Sequence, residues 1–319
     1  MKKIILSFLI ILIVNNLKAQ QPDPALAAVD EYVQKLGALE KFNVATIADT
    51  ITRKFSDKKE KARAIFYWIA NNIALNPKAI KSNDNKNNEP ENVIQLRKTT
   101  ALGFATLVQE MCSLANIRCL VVDGYIKSSA MDIGEKADDI NHSWNVVQLG
   151  QSPDKWYYID AARASGYLDG KMSVFTKQFT SEYFFADKKL FNLDHYPDNK
   201  GWYLGDDQKS LKEFYALPVI GYMAYSFGLQ KPMPLTGHIK IKVGTTVSFS
   251  FSYNPYKTIS SISLVMGEEK KQSKPEPMNF TDNGGSVRFT YKFKKADSCP
   301  LKVVVDGKDL LIYNIDVED

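Results

Sequence analysis

The stretch Leu96–Ala115, LRKTTALGFATLVQEMCSLA, decides how the rest of the chain is read. Leu102, Phe104, Ala105, Leu107, Val108, Met111, Cys112, Leu114 and Ala115 leave almost no polar face. A helix apolar nearly all round is a buried one. Two threonines stand directly before the run, where an N-cap belongs. The pattern predicts a central core helix that begins near Ala101. Such a start carries unpaired N–H groups and the positive end of the helix dipole, a setting that suits a reactive thiolate.

Upstream, Pro24–Asn76 reads as helical. Leu26, Val29, Tyr32, Val33 and Leu36 recur at helical spacing, as do Ala62, Ile65, Phe66, Ile69 and Ile73. Ser56, Asp57 and Glu60 make a start for the second run, and Trp68 is expected as a core aromatic. Lys81–Glu91, KSNDNKNNEPE, is polar and turn-rich. Its place before the core helix makes it either a lid over a cleft or a solvated loop, the plainer expectation. Met1–Ala19 has Lys2 and Lys3, then the apolar run Ile4–Val14, then a small residue at its end. That order predicts a signal peptide, because a membrane span needs about 20 apolar residues. No cysteine lies near the cleavage region to suggest a lipoprotein anchor. Loss of Lys2, Lys3 and Lys18 would take the formal charge from +5 to +2. That charge points to no nucleic-acid partner. The expected location is secreted or periplasmic, with no integral membrane span after cleavage.

Downstream, Arg118–Tyr125 predicts a buried strand centred on Val121 and Val122. His142–Leu149 and Trp156–Asp160 predict a hairpin around a Gly150–Lys155 turn that contains Pro153. That hairpin would place His142 and Asp160 on neighbouring strands, about 5 Å apart. From about Leu235 the period changes to two: Val247, Phe249, Phe251 and Tyr253 alternate with serines, and Val287, Phe289, Tyr291 and Phe293 with polar residues. Six or seven short strands there predict a β-sandwich of immunoglobulin-like type.

Four segments carry a resemblance. Arg97–Ala105 (RKTTALGFA) is similar to the nucleophile segment R-K-G-V-C-x-G-Y-A of the transglutaminase-like superfamily. His142–Asn145 (HSWN) with Trp156–Asp160 (WYYID) resembles its H-x-W-N and W-Y-x-x-D motifs. Asp123–Lys127 (DGYIK) resembles its S-G-Y-x-K strand end, and Ala164–Gly170 (ASGYLDG) its G-A-G-Y-x-D-G stretch. The last segment, with Phe175–Trp202, is similar to the kyphoscoliosis-peptidase-like branch. The resemblance spans roughly residues 25–205. It implies an α+β fold: a papain-like, transglutaminase-like core of helices on an antiparallel sheet, followed by the β-sandwich. The expected divisions are a signal peptide at 1–19, a transglutaminase-like domain with a helical lead-in at 20–205, a linker at 206–234 and the sandwich at 235–319.

The resemblance also implies chemistry. In the family the histidine deprotonates a thiol and the aspartate orients the imidazole, which makes His142 and Asp160 the remnant of a triad. The cysteine position holds Ala101. Cys112 lies about 16 Å along the helix axis from it, in an apolar body where thiols are inert. Thr99 and Thr100 precede the helix start and are poor substitutes. His195 lies outside the triad pattern and is expected to pack. His142, His195 and His238 are far apart in sequence and no pair has ligand spacing, so neither metal nor cofactor is expected. Cys112, Cys119 and Cys299 are too few for a disulfide scaffold. Buried thiols are expected, with a Cys112–Cys119 disulfide as the alternative.

These features lead to a pseudoenzyme that binds or scaffolds an extracytoplasmic protein or peptide. The alternatives are a thiol-dependent peptidase or transamidase, using another nucleophile or presented without its own, and a purely structural envelope protein in which the cleft is closed. Thr99–Thr100 in place of Gly-Val, and Leu102 where a polar residue is common, favour natural loss, because a designed knock-out would change one position.

Overall fold

A computed structural model describes residues 23–150, 155–169, 171–268 and 271–319. The signal-peptide expectation at Met1–Ala19 and most of the turn around Pro153 lie outside the described residues. The helical lead-in resolves into α1 (Pro24–Leu36), α2 (Val44–Thr52) and α3 (Lys58–Asn72). Each is started by a side-chain cap: Asp23, Asn43 and Asp57 accept backbone N–H bonds from the first turn. Of Ser56, Asp57 and Glu60, the residues expected at this start, Asp57 is the cap, and Trp68 is fully buried, its indole donating to the Gly37 carbonyl at 3.1 Å. Arg63 of α3 is buried too. It is held by a two-pronged bond to Asp30 of α1 at 2.8 and 2.7 Å, the geometry in which a buried guanidinium is satisfied.

A short strand β1 (Ala74–Leu75), α4 (Pro77–Lys81), α5 (Pro90–Leu96) and β2 (Lys98–Thr99) lead to α6 (Ala101–Leu114). The central helix therefore starts where the sequence placed it. Gly103, Phe104, Ala105, Leu107, Val108, Met111 and Cys112 are buried, whereas Leu114 at its end is exposed. Behind α6 stand β3 (Arg118–Ile126), β4 (His142–Gln148) and β5 (Trp156–Ile159), then α7 (Ala161–Ser165), the hairpin β6 (Gly166–Leu168) and β7 (Phe175–Lys177), α8 (Lys188–Asp194) and β8 (His195–Pro197). The antiparallel sheet has the order β5-β4-β3-β8. β3 sits between β4 and β8, so Gly124 is paired with His142 on one side and Pro197 on the other. That register brings the start of β4 and the start of β8 to the same end of the sheet.

The stretch 206–234, expected as a linker, is structured: α9 (Leu211–Ala216), β9 (Val219–Ile220), α10 (Ala224–Phe227) and β10 (Gln230–Met233). Its Phe214, Tyr215, Leu217, Val219 and Ile220 are buried. Chain this apolar packs rather than floats. The remaining strands are β11 (His238–Lys242), β12 (Thr246–Ser252), β13 (Ile262–Met266), β14 (Glu276–Pro277), β15 (Phe280–Asp282), β16 (Ser286–Lys292), β17 (Asp297–Val305) and β18 (Lys308–Glu318). They form two sheets, β10-β12-β16-β15 and β11-β18-β17-β13-β14, with β9 joined to β18. All these pairs are antiparallel except β11 with β18. The predicted alternation holds: Phe249 and Phe289 stack at 5.1 Å within one sheet, and Phe249 meets Tyr313 of the other at 5.8 Å.

The two parts of the chain share a core. One apolar cluster runs from Val29 through the α6 region to Val317. Lys127 Nζ donates to the Phe214 carbonyl at 2.7 Å, and Asn314 of β18 donates to the Ala130 carbonyl at 2.7 Å.

Candidate active-site remnant

His142 opens β4, and Asp160 follows β5 as the N-cap of α7. One carboxylate oxygen, Oδ1, accepts the Arg163 backbone N–H at 2.8 Å. The other, Oδ2, lies 2.6 Å from His142 Nε2. The predicted pair is thus formed, and both members are buried. Burial alone would raise the carboxyl of Asp160. The facing imidazoles and their hydrogen bonds outweigh it and hold the group below the usual carboxylate range.

The structure adds a residue that the sequence reading set aside. His195 Nε2 also reaches Asp160 Oδ2, at 3.1 Å. His195 pairs with Ile126 on the far side of β3, and its ring is fully buried, stacked on Phe191 at 3.8 Å. It packs, as expected, and also shares the acid. Nothing in its sequence spacing announces this, because the contact depends on β8 returning beside β3. The signal in the sequence is the branch-like stretch Phe175–Trp202, which contains His195. Gly124 makes the approach possible: a Cβ there would lie 2.6 Å from the Trp144 ring and 2.3 Å from the Tyr196 carbonyl oxygen.

The expectation of no metal-ligand set rested on distance in sequence, and the fold removes that premise. The ligand atoms of His142, Asp160 and His195 lie within 4.8 Å of one another. An ion bound at about 2.1 Å from each would hold its ligands more than about 3 Å apart. The 2.6 Å separation of His142 Nε2 and Asp160 Oδ2 is instead that of a hydrogen bond. As folded, the carboxylate itself takes up both rings. His238, on β11, is exposed.

Ala101 is half-buried at the first position of α6, and Asn145 of β4 ties the two elements by donating to the Ala105 carbonyl at 2.9 Å. Thr100 is the N-cap by position, but its hydroxyl makes no capping bond. Thr99 and Thr100 instead donate to Asn88 Oδ1 at 2.8 and 3.0 Å, and Thr106 donates to the Asn88 carbonyl at 2.6 Å. The polar loop before α5 is therefore docked on the helix start through one buried asparagine, while most of its other residues are exposed. Beside it lies a cavity of about 170 Å³, lined by Asn76, Lys78, Asn88, Lys98, Thr99 and Thr100 among others. Cys112 and Cys119 are buried free thiols, and burial, with Cys112 as its hydrogen-bond neighbour, raises Cys119 well above an ordinary thiol. Cys119 is therefore no thiolate source.

Among the described residues no helix is long and apolar enough to cross a membrane. The model of the Transglutaminase-like superfamily matches residues 45–161. Kyphoscoliosis peptidase from Mus musculus is 32% identical over 169 residues, covering 53% of this chain and 25% of that protein. The human protein of that name gives the same figures. Hillarin from Drosophila melanogaster is 28% identical over 180 residues, 53% of this chain and 22% of that protein. The chain thus spans about a quarter of the length of the curated relatives it matches. With the helix start, the sheet and the matched segment in register, residues 45–161 are a transglutaminase-like domain, similar to that of kyphoscoliosis peptidase.

Proposed function

We propose that this protein is a pseudoenzyme: a transglutaminase-like module that binds a protein or peptide and does not turn it over. One observation carries the reading. The His142–Asp160 pair is assembled at 2.6 Å, while the start of α6 offers a methyl group at Ala101. An alanine can neither attack a carbonyl nor hold an acyl group. Thr99 and Thr100 are engaged with Asn88 and buried, so neither of these alcohols is free to replace the sulfur. The apolar run at Met1–Ala19 supports export, so the ligand would be extracytoplasmic and the location secreted or periplasmic. The C-terminal strands are read as an immunoglobulin-like sandwich, a second domain that spaces or presents the first.

The test uses two assays on the purified protein. A fluorescent primary amine with casein as acceptor reports transamidation, and fluorescein-labelled casein peptides report both cleavage and, by anisotropy, binding. No turnover is expected. Peptide binding should be retained and lost in Ala101→Trp, which fills the helix start. Turnover by the unsubstituted chain would overturn the pseudoenzyme reading, and absence of binding would overturn the module.

A further inference from the structure

We propose that His195 is a positioning residue: by donating from Nε2 to the oxygen that His142 also uses, it fixes Asp160 as the shared acceptor of two imidazoles and leaves His142 with a bare Nδ1 facing the ligand. This rests on the reading of the Ala101 cleft as a binding site. It also names the ligand chemistry, a group that donates a hydrogen bond, such as a backbone amide N–H or a hydroxyl.

The argument is one of donors and acceptors. Asp160 Oδ1 is taken by the Arg163 N–H, and Oδ2 faces one ring nitrogen at 2.6 Å and another at 3.1 Å. An ionised carboxylate only accepts, so both rings must present N–H there. A neutral His142 therefore carries its proton on Nε2 and its lone pair on Nδ1. His142 Nδ1 has no partner among the described residues, and it is not enclosed in the way His195 Nδ1 is. It is the ring nitrogen left for a ligand.

His195 is suited to hold this arrangement because it is enclosed. Asp160, Asp194, Arg163, His142, Tyr183 and Tyr225 are the titratable groups around it, and Trp144 and Phe191 cover its ring. Burial lowers its basicity, and the pull of Asp194 and Asp160 only partly offsets that. A neutral ring with its proton on Nε2 leaves Nδ1 without a hydrogen bond, as found, 3.5 Å from Asp194 Oδ2.

The test uses Ala101→Cys as reporter, with His195 intact, His195→Gln or His195→Phe, and iodoacetamide alkylation followed against pH. In the parent, the new thiol should react at a pH below that of a free thiol, through His142. Gln keeps an N–H to donate and should leave the profile in place. Phe should shift it about one pH unit further to acid, because an unshared Asp160 favours the His142 imidazolium. Coincident Phe and parent profiles, or equal shifts for Phe and Gln, would overturn the proposal. A parent thiol that titrates like a free one would instead overturn the reading of the cleft. Should the variants fail to fold, ¹⁵N imidazole spectra of the unsubstituted protein decide. His195 must carry a proton on Nε2 at neutral pH, and a neutral ring protonated on Nδ1 instead would overturn the proposal.

Discussion

A single carboxylate, Asp160, connects most of what is chemical in this molecule. It caps α7, bonds His142 and bonds His195. Removing one partner of a buried, hydrogen-bonded charge group costs about 3–5 kcal/mol. Asp160→Ala is expected to lose that much in urea unfolding at neutral pH, whereas His142→Ala, which leaves Asp160 two donors, should lose less. A cost for Asp160→Ala below that of His142→Ala would count against a shared acceptor. The folded carboxyl lies below its ordinary range, so the stability it contributes is present above that range and is lost as pH falls below it. His142 and Asp160 were legible in the sequence because local motifs carry them. His195 was not, because its role arises from a return strand far along the chain.

Elements are legible in the sequence where periodicity is strong and less so where short pieces are held by tertiary contacts. The α6 start, the Asp57 cap and the alternating strands around Phe249 and Phe289 all stand as expected. Composition marks the loop before α5 as solvated and carries no sign that Asn88 turns inward onto three threonines. Asn88→Ala should cost about 1–2 kcal/mol, the range for an unsatisfied buried polar group. Amide exchange should speed up across 82–89 while the β3–β4 amides stay protected. Unchanged exchange in the loop would show that Asn88 is not its anchor. At the β3 crossing, Gly124→Ala should cost about 3 kcal/mol, because both the Trp144 ring and the Tyr196 carbonyl would have to move.

At the scale of the whole molecule, the two parts are joined through chain that the sequence suggested was a linker. Buried aromatic and β-branched residues in 206–234 were visible, but their strand partners lie in β12 and β18, beyond the reach of a local window. A fragment beginning at Val219 keeps β9 and β10 and should melt cooperatively. One beginning at Leu235 lacks both and should be markedly less stable by circular dichroism. Equal melts would restore the linker reading. Lys127 marks the same junction. It is buried against the Phe214 carbonyl and ring, and burial pushes its ammonium down to about 7 despite the opposing pull of Asp194 and Asp132. An unfolded lysine holds its proton to about 10.4, so between these values the unfolded state binds more protons and stability rises with pH. Unfolding free energy should gain about 2 kcal/mol from this group between pH 7 and 9, a slope that Lys127→Met removes. A slope that persists in the variant would assign it elsewhere.

The central claim is that Ala101 stands at the nucleophile position of a cleft that still holds its His–Asp pair. Alkylation of Ala101→Cys by iodoacetamide against pH, with and without His142→Ala, tests it most directly. The account predicts a new thiol that reacts faster than Cys112 and becomes reactive well below the pH of a free thiol, an advantage that His142→Ala abolishes. A thiol that titrates as a free one and is indifferent to His142 would contradict it.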